Sequence, residues 1–311
     1  MEVVVDADGL VYLVGFACQS SDYRVTVLDE KSEVQDILVV SGLDEVRALG
    51  SQLREGERIE TEHLVTEEPL EHALGSVKRS LLAIEHALRV DHGLHFENLE
   101  LWLTGETNFR DVFATIRPYK GNREKVSRPV HYEAIRAYLK RRWGAQVTEG
   151  IEADDRVAEI SYFHKHNPDA VCVVSPDKDL LTVPGRLYNF RAKPRDRMRI
   201  VSPDQARVNF YRQVLTGDAT DNVLGCYKTG PKTAEKIVTM SQTEEASARL
   251  VLEEFEASVK RAGCPYTDAK AAFLETGRLL HLRRFNGDLW APPWDRQVKY
   301  YGKETHDAEA S

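Results

Sequence analysis

Glu149-Gly150-Ile151-Glu152-Ala153-Asp154-Asp155-Arg156-Val157-Ala158-Glu159-Ile160, followed by Val171-Cys172-Val173-Val174-Ser175-Pro176-Asp177-Lys178-Asp179-Leu180, carries the reading of the whole chain. Val157, Ile160 and Phe163 form an apolar stripe at helical spacing, which predicts a helix beginning near Asp154. Carboxylates suit its first turn, the positive end of the helix dipole. Val171–Val174 is a short unbroken apolar run, rich in β-branched residues, the pattern of a buried parallel strand. In open α/β sheets the working groups gather beyond the carboxyl ends of strands, where Asp177 and Asp179 stand. A single Asp at such a place is ordinarily a cap or a polar turn. Five carboxylates (Glu152, Asp154, Asp155, Asp177 and Asp179) at two sheet-edge positions repel one another unless a cation offsets their charge. Hard divalent ions such as Mg²⁺ take oxygen ligands of this kind.

Outward from that stretch, Val3–Val5 reads as a first buried strand ending in Asp6-Ala7-Asp8. Val25–Leu28 and Ile37–Val40 are short strand candidates, and the acidic, weakly patterned segment between Ser41 and Glu68 has no functional reading. Leu70, Ala73, Leu74, Val77, Leu81, Ile84 and Leu88 predict a long amphipathic helix. Leu99–Leu103 is the next strand, leaving through Thr104-Gly105-Glu106. Asn108–Val130 is basic, contains Pro118 and Pro129 and lacks an apolar period, so a mobile loop or arch is expected. Tyr132–Trp143 returns to helix, with Ile135, Tyr138 and Leu139 on one face. Strand–helix alternation up to about Val201 predicts an α/β fold, a mostly parallel sheet flanked by helices. Ser202-Pro203-Asp204-Gln205 looks like a helix start, and helical patterns follow through Leu250–Val259 and Ala269–Leu282. Domain expectations are therefore a core at 1–201 with a basic arch at about 106–130, a helical region at 202–300, and a flexible tail at 301–311.

At 311 residues the chain can bury a full core. It has no apolar run long enough to span a bilayer, and it opens into Val3 without a basic, apolar leader, so neither membrane insertion nor export is expected. Cys18, Cys172, Cys226 and Cys264 are widely spaced, which favours free thiols in a reducing compartment. The net charge of −8 argues against nucleic acid, but its distribution does not. Arg110–Arg142 holds ten Arg/Lys against three carboxylates, net +7, and Arg186–Arg199 holds six against one, net +5. Local basic stripes decide phosphate binding.

Gly217-Asp218-Ala219-Thr220-Asp221-Asn222-Val223-Leu224-Gly225-Cys226-Tyr227-Lys228-Thr229-Gly230-Pro231-Lys232-Thr233-Ala234 is a Gly-rich turn between helices. Asp218 and Asp221, three apart, are expected on one helical turn that completes the acidic cluster. Gly225 and Gly230 permit tight backbone turns, and amides leading into the Lys232 helix can meet a phosphate. Asn108-Phe109-Arg110 and Tyr119-Lys120-Gly121-Asn122-Arg123 place cations beside aromatic rings, Arg as forked donor and Lys as compact charge.

Taken in order, Asp6, Arg110, Tyr119-Lys120-Gly121-Asn122-Arg123, Glu152-Ala153-Asp154-Asp155, Asp177-Lys178-Asp179, Gly217-Asp218-x-x-Asp221-Asn222, Gly225 and Gly230-Pro231-Lys232-Thr233-Ala234 resemble the structure-specific 5′ nucleases. That family holds the flap endonucleases, the 5′-nuclease domain of bacterial DNA polymerase I and the bacteriophage 5′–3′ exonucleases. The resemblance runs from residue 1 to about residue 290 and is strongest to the phage enzymes, ending in Arg283-Arg284-Phe285-Asn286. It implies a PIN-like core with a helix-hairpin-helix-type region, and a 5′–3′ exonuclease and flap endonuclease that hydrolyses DNA with two Mg²⁺ ions, or Mn²⁺ in their place. Asp6, Glu152 and Asp154 would hold one ion, and Asp155, Asp177, Asp179, Asp218 and Asp221 the second or both. Lys120 and Arg123, with Arg110, would polarise the scissile phosphate beneath an arch passing a single-stranded 5′ end. Tyr119 and the turn carrying Gly225, Lys228, Gly230, Lys232 and Thr233 would grip DNA, the turn with a K⁺ ion. The implied partners are 5′ ends or 5′ flaps, RNA-primed ones included, met by a monomer in the cytoplasm, the host's for a phage protein. One departure stands out: Gly105 occupies the place where the family commonly has an aspartate, with Asp8 and Glu106 as the nearest substitutes. Two rivals share parts of the pattern, a PIN-type ribonuclease and a DNA-binding protein with an impaired metal site.

Overall fold

The computed structural model describes residues 1–123 and 127–296. The expected tail and residues 124–126 of the expected arch lie outside the described residues. The chain runs through β1 (Glu2–Asp6), α1 (Asp8–Ala17), β2 (Gln19–Leu28), β3 (Val34–Val40), α2 (Leu43–Gly50), β4 (Arg58–Glu67) and α3 (Leu70–His86). A π-helical turn at Ala87–Asp91 prolongs α3. Next come β5 (Glu100–Leu103), the one-turn helix α4 (Arg110–Phe113), α5 (Tyr132–Trp143), β6 (Gln146–Val147), α6 (Ala153–Phe163), β7 (Val171–Val174), β8 (Gly185–Tyr188) and β9 (Met198–Val201). Then follow α7 (Pro203–Thr216), the dipeptide strands β10 (Gly217–Asp218) and β11 (Val223–Leu224), α8 (Pro231–Thr239), α9 (Glu244–Val259) and α10 (Ala269–Leu280).

The chain divides into two units, the first made of Met1–Thr107, Glu124–Leu180 and Gly185–Ile200, the second of Asn108–Arg123, Leu181–Pro184 and everything from Val201. The basic segment 108–123, grouped with the first half on sequence grounds, packs with the second unit.

In the first unit a six-stranded sheet has the order β6-β5-β1-β7-β8-β9. β1 pairs in parallel with both β5 and β7, β6 extends the sheet parallel to β5, and β8 parallel to β7. This is the expected α/β class, a mostly parallel sheet flanked by helices. Alternation along the strands sends Val3, Val5, Cys172 and Val174 into one core with Leu10 and Val14 of α1, Val77 and Leu81 of α3, and Ile135 and Leu139 of α5. Val4 and Val173, equally buried, lie on the opposite face, where α6 packs on β1, β5 and β7. The helix face that reaches the sheet carries Ala153, Val157, Ala158 and Ser161; Phe163, expected in its stripe, is 82% exposed at the last turn. Five positions separate Phe163 from Ala158, about 500° of helical rotation, which turns it off the buried face.

β2, β3 and β4 form a separate antiparallel sheet in the order β3-β2-β4. The short strands expected at Val25–Leu28 and Ile37–Val40 are parts of these longer ones, and the segment without a reading supplies α2 and β4. In the second unit α7, α9 and α10 bury Phe210, Tyr211, Val214, Val251, Phe255 and Phe273 around Trp290, whose ring lies 5.1 Å from that of Phe273. Ser202 caps α7 reciprocally with Gln205, as its sequence predicts. Among the described residues no helix is long and apolar enough to cross a membrane.

Candidate metal centre and phosphate-binding turn

Strand order reverses at β1. The chain moves outward through β5 and β6, then returns to the other side of β1 with β7 and β8. A crevice forms outside the carboxyl ends at such a reversal, and Asp6, the Glu152–Asp155 helix start and the Ser175–Asp179 segment stand at those ends. Asp6 ends β1 and is 6% exposed. Its Oδ2 accepts from the Ser175 hydroxyl at 2.8 Å, and its Oδ1 from the Asp8 amide at 3.2 Å. Ser175, directly beyond β7, also accepts from the Asp177 amide at 3.0 Å, and Asp177 Oδ1 accepts from the Asp179 amide at 2.8 Å. A hydrogen-bonded chain therefore links Asp6, Ser175, Asp177 and Asp179 across the ends of two neighbouring strands.

At the start of α6, Glu152 and Asp155 form a reciprocal cap, with the Glu152 amide donating to Asp155 Oδ2 at 3.2 Å. The Ala153 amide donates to Thr104 Oγ1 at 2.9 Å, which ties this helix start to the end of β5. Carboxylate oxygens of Glu152, Asp154 and Asp155 come within 4.8 Å of one another, although Asp155 is fully buried and Glu152 nearly so. Burial, followed by the charges of Asp8 and Asp177, pushes the Asp6 carboxyl up to about 7 against the pull of the Ser175 hydrogen bond. The donors are all hard oxygens, and Asp6 holds its negative charge at a cost. Both features fit a divalent cation such as Mg²⁺.

Asp8 is the first residue of α1, not part of an extended strand, and it is committed elsewhere. Its Oδ2 accepts from the Thr104 amide at 2.9 Å and its Oδ1 from Arg136 Nη1 at 3.0 Å, while Arg136 Nη2 donates to the Thr104 carbonyl at 2.6 Å. Arg136, on α5, was not singled out from the sequence. A signal existed: it falls on the face of α5 that buries Tyr132, Ile135 and Leu139, and a cation there needs a buried partner. Gly105 does not adopt a positive φ; close approach, not backbone conformation, keeps it a glycine. A Cβ built on it would collide with the backbone carbonyl oxygen of Thr148, so the chain passes too close for any side chain, aspartate included. Glu106 is exposed.

Asp218 and Asp221 belong to the second unit, and they do not share a helical turn. α7 ends at Gly217, whose φ of 71° starts the β10–β11 hairpin. Gly217 and Gly225 meet backbone to backbone across it, each leaving no room for a Cβ on the other. Asp218 is buried and its Oδ1 accepts from the Thr220 amide at 2.7 Å. Asp221 anchors the basic segment: it accepts from the Tyr119 hydroxyl at 2.9 Å and from the Arg123 guanidinium, and Lys120 Nζ lies 4.0 Å away. The Lys120 amide donates to the Asp221 carbonyl at 2.9 Å, Asn122 Nδ2 to the Ala219 carbonyl at 2.8 Å, and Asn222 Nδ2 to the Pro118 carbonyl at 2.9 Å. Lys120 and Asn222 both adopt positive φ in this clamp, a local strain of about 1 kcal/mol each.

Arg110, expected at the scissile phosphate, is 1% exposed; Nε donates to the Leu279 carbonyl at 2.8 Å and Nη2 to that of His281 at 2.9 Å. Its guanidinium holds the end of α10 and does not face solvent. Gly230, Lys232 and Thr233 are exposed at the start of α8, where Gly230 caps without a side chain. Lys228 is exposed with φ 58°, and its Nζ donates to the Ala262 carbonyl at 3.3 Å. Cys18, Cys172 and Cys226 are buried free thiols, and burial pushes Cys172 up to about 12, so it is an inert packing group.

No protein-family model matches the sequence, and no curated protein matches it. Among solved structures the chain is similar to the 5′-exonuclease of bacteriophage T5 with zinc bound, at 16% identity over 90% of this chain and 86% of that one, with a TM-score of 0.47. It is similar also to a bacteriophage T5 D15 flap endonuclease in a pseudo-enzyme–product complex with DNA and metal ions, at 17% identity over 90% and 85%, TM-score 0.46. A T5 D15 protein co-crystallised with metal ions gives 19% identity over 67% and 79%, TM-score 0.44.

Proposed function

We propose that this chain is a divalent-metal-dependent nuclease of the structure-specific 5′-nuclease type, a 5′–3′ exonuclease and flap endonuclease acting on DNA. The observation that carries the reading is the convergence of Glu152, Asp154 and Asp155 at the carboxyl end of a parallel sheet. The buried, charge-frustrated Asp6 at the neighbouring strand end adds to it. The ordered motifs from Asp6 to Ala234 support the same reading. Asp6, Glu152, Asp154, Asp155, Asp177 and Asp179 would hold Mg²⁺. When bound there, the metal supplies an activated water and charge neutralisation at the leaving oxygen.

The chain's own residues set the rest. Ser175 orients the Asp6 carboxylate, and the Thr104 hydroxyl fixes the start of α6, so the donor oxygens are positioned before any ion arrives. Arg136 neutralises Asp8 and so limits the repulsion on Asp6. In the second unit, Lys120 and Arg123 contact DNA phosphate. The clamp onto Asp221 sets their position, and Asp221 serves as its anchor. Exposed Lys228, Lys232 and Thr233, with the amides that follow Gly230, meet the duplex backbone. A K⁺ ion at that turn, RNA-primed ends, a monomeric state and work in replication or repair belong to the same proposal.

A 5′-labelled flap DNA, incubated with Mg²⁺, with EDTA, and with the Asp154→Ala variant, tests it. Release of a short labelled product in Mg²⁺ alone is expected, with Asp154→Ala folded but inactive. Turnover in excess EDTA, or undiminished cleavage by Asp154→Ala, would overturn the metal assignment. Cleavage of a single-stranded RNA in place of the flap would put a ribonuclease in its stead.

A further inference from the structure

The antiparallel sheet of β2, β3 and β4 contributes nothing to the metal centre, yet it carries the chain's charge. Gln19–Glu68 holds thirteen carboxylates against five Arg/Lys, net −8, which equals the net charge of the whole chain. The other residues balance at 37 of each sign. An acidic module of this kind repels a phosphate backbone.

Its two edges differ. β4 presents Arg58, Glu60, Glu62, His63 and Glu67 along its length, the usual protection of an exposed edge strand. β3 has the sequence Val-Gln-Asp-Ile-Leu-Val-Val and contains no Lys, Arg or Pro. Among the described residues no strand lies beyond it. Ile37 and Val39 are 56% and 62% exposed. They stand on one face, in the rows Ile37–Thr26–Glu60 and Val39–Arg24–Glu62. Asp36 falls on the other face, in the row Asp36–Val27–Ile59; Gly50 of α2 packs over Ile59, so this is the side of α2 and its acidic first turn, Asp44 and Glu45. The Ile37 amide donates to the Asp36 carboxylate at 2.8 Å, a side-chain stopper on an edge donor.

We propose that β3 is a docking edge for a basic, extended protein segment, which adds as a further strand with aliphatic side chains against Ile37 and Val39 and Lys or Arg side chains against Asp36 and α2. Main-chain hydrogen bonds supply the pairing, and alternate side chains supply the selection. Charge decides the occupant. A second copy of this chain would bring net −8 against net −8, and a duplex would bring more negative charge still. A basic strand displaces Asp36 from the Ile37 amide and gives that carboxylate a cation.

The test uses the full chain and an eight-residue peptide alternating Lys and Val, carrying a fluorophore. Controls are a Glu/Val peptide of the same pattern and an all-Lys peptide, each read by anisotropy together with amide hydrogen exchange of β3. Expected are saturable binding of the Lys/Val peptide, protection of amides within 34–40, and binding weaker by at least about tenfold for either control. The Ile37→Lys/Val39→Lys variant should lose binding by a similar factor. Val39→Lys alone replaces it if the double variant melts below the parent. Equal binding of the all-Lys peptide would make the region an unspecific acidic patch and overturn the proposal. Undiminished binding by the variant, or self-association of the parent chain that Ile37→Lys abolishes, would overturn it too.

Discussion

Beyond its own helix, Arg136 reaches Asp8 at the start of α1 and the Thr104 carbonyl beyond β5. Its side chain is 11% exposed and that of Asp8 21%, so solvent screens the pair only in part. Arg136→Met leaves Asp8 charged and uncompensated beside Asp6, and is expected to lower unfolding free energy by about 3 kcal/mol in urea titrations. Adding Asp8→Asn should recover part of that loss, because the stranded charge is gone; no recovery would show that the arginine acts through packing alone. Gly105 carries a prediction of the opposite kind. A missing-ligand account expects Gly105→Asp to strengthen Mg²⁺ binding, whereas the collision with the Thr148 carbonyl predicts a lower melting temperature and no gain in the Mg²⁺ titration. The position could be recognised in the sequence as a departure but not explained by it. What rules out a side chain there is a backbone 43 residues away, joined to Gly105 through the Thr148 hydroxyl. Arg110 belongs to the same kind of position: a cation beside an aromatic ring suits phosphate binding and helix-end capping equally in sequence, and here it is buried against the end of α10.

At the scale of elements, β1, β7, α3, α5 and the start of α6 were legible because each buries one continuous apolar pattern. β2 and β3 were legible only in their most apolar parts, Val25–Leu28 and Ile37–Val40, and β4 not at all, because the outward residues are polar and the sheet buries little beyond Val25, Leu28 and Val46. The Gly217–Asp221 turn was legible as a turn but not as a hairpin, since spacing alone does not reveal the close pass of Gly217 and Gly225. Asp221→Asn tests the clamp on the 118–123 segment. Tyr119 keeps an acceptor while Arg123 loses its ion pair, so limited trypsin digestion should cut after Lys120 or Arg123 faster than in the parent. An unchanged digestion rate would detach the segment's order from Asp221. The end of α10 supplies a pH dependence. Burial holds His281 below its ordinary value despite its hydrogen bond to Asp288 at 2.8 Å. The unfolded chain therefore binds a proton near pH 6.5 that the folded one refuses, and stability falls as pH drops below about 6.5. Melts at pH 7.5 and 5.5 should show a larger loss for the parent than for His281→Gln, which can still donate to Asp288.

For the whole molecule, strand–helix alternation foretold a parallel sheet with a helical region after it, and both are present. What alternation could not foretell is that the chain enters the second unit at Asn108, leaves it at Arg123, and returns. Nor could it show that Gln19–Glu68 interrupts the path from α1 to α3 as a self-contained acidic sheet. The structure suggests how to remove that sheet. The Glu68 amide donates to the Cys18 carbonyl at 2.9 Å, and Gln19 is the register partner of Glu67, so the two ends of the segment already meet. No residue between Cys18 and Ala73 belongs to the buried cluster that α1, α3 and α5 build on the sheet. Gln19 and Glu68 do serve that neighbourhood, through the Val130 amide at 2.9 Å and the His131 ring at 2.7 Å, and should be kept. Replacing 20–67 by a short Gly-containing turn removes twelve carboxylates and five Arg/Lys and takes the net charge from −8 to −1. A closed loop of that length contributes only about (3/2)RT ln n of closure entropy, so shortening it favours folding slightly. The excised chain is expected to fold with a melting temperature within a few degrees of the parent, and to cleave flap DNA at least as fast at low salt, because it has lost a repulsive charge. Binding of the Lys/Val peptide should disappear from it. A collapse of the melting transition would show that the sheet supports the core, and slower cleavage at equal stability would mean that this sheet takes part in substrate handling.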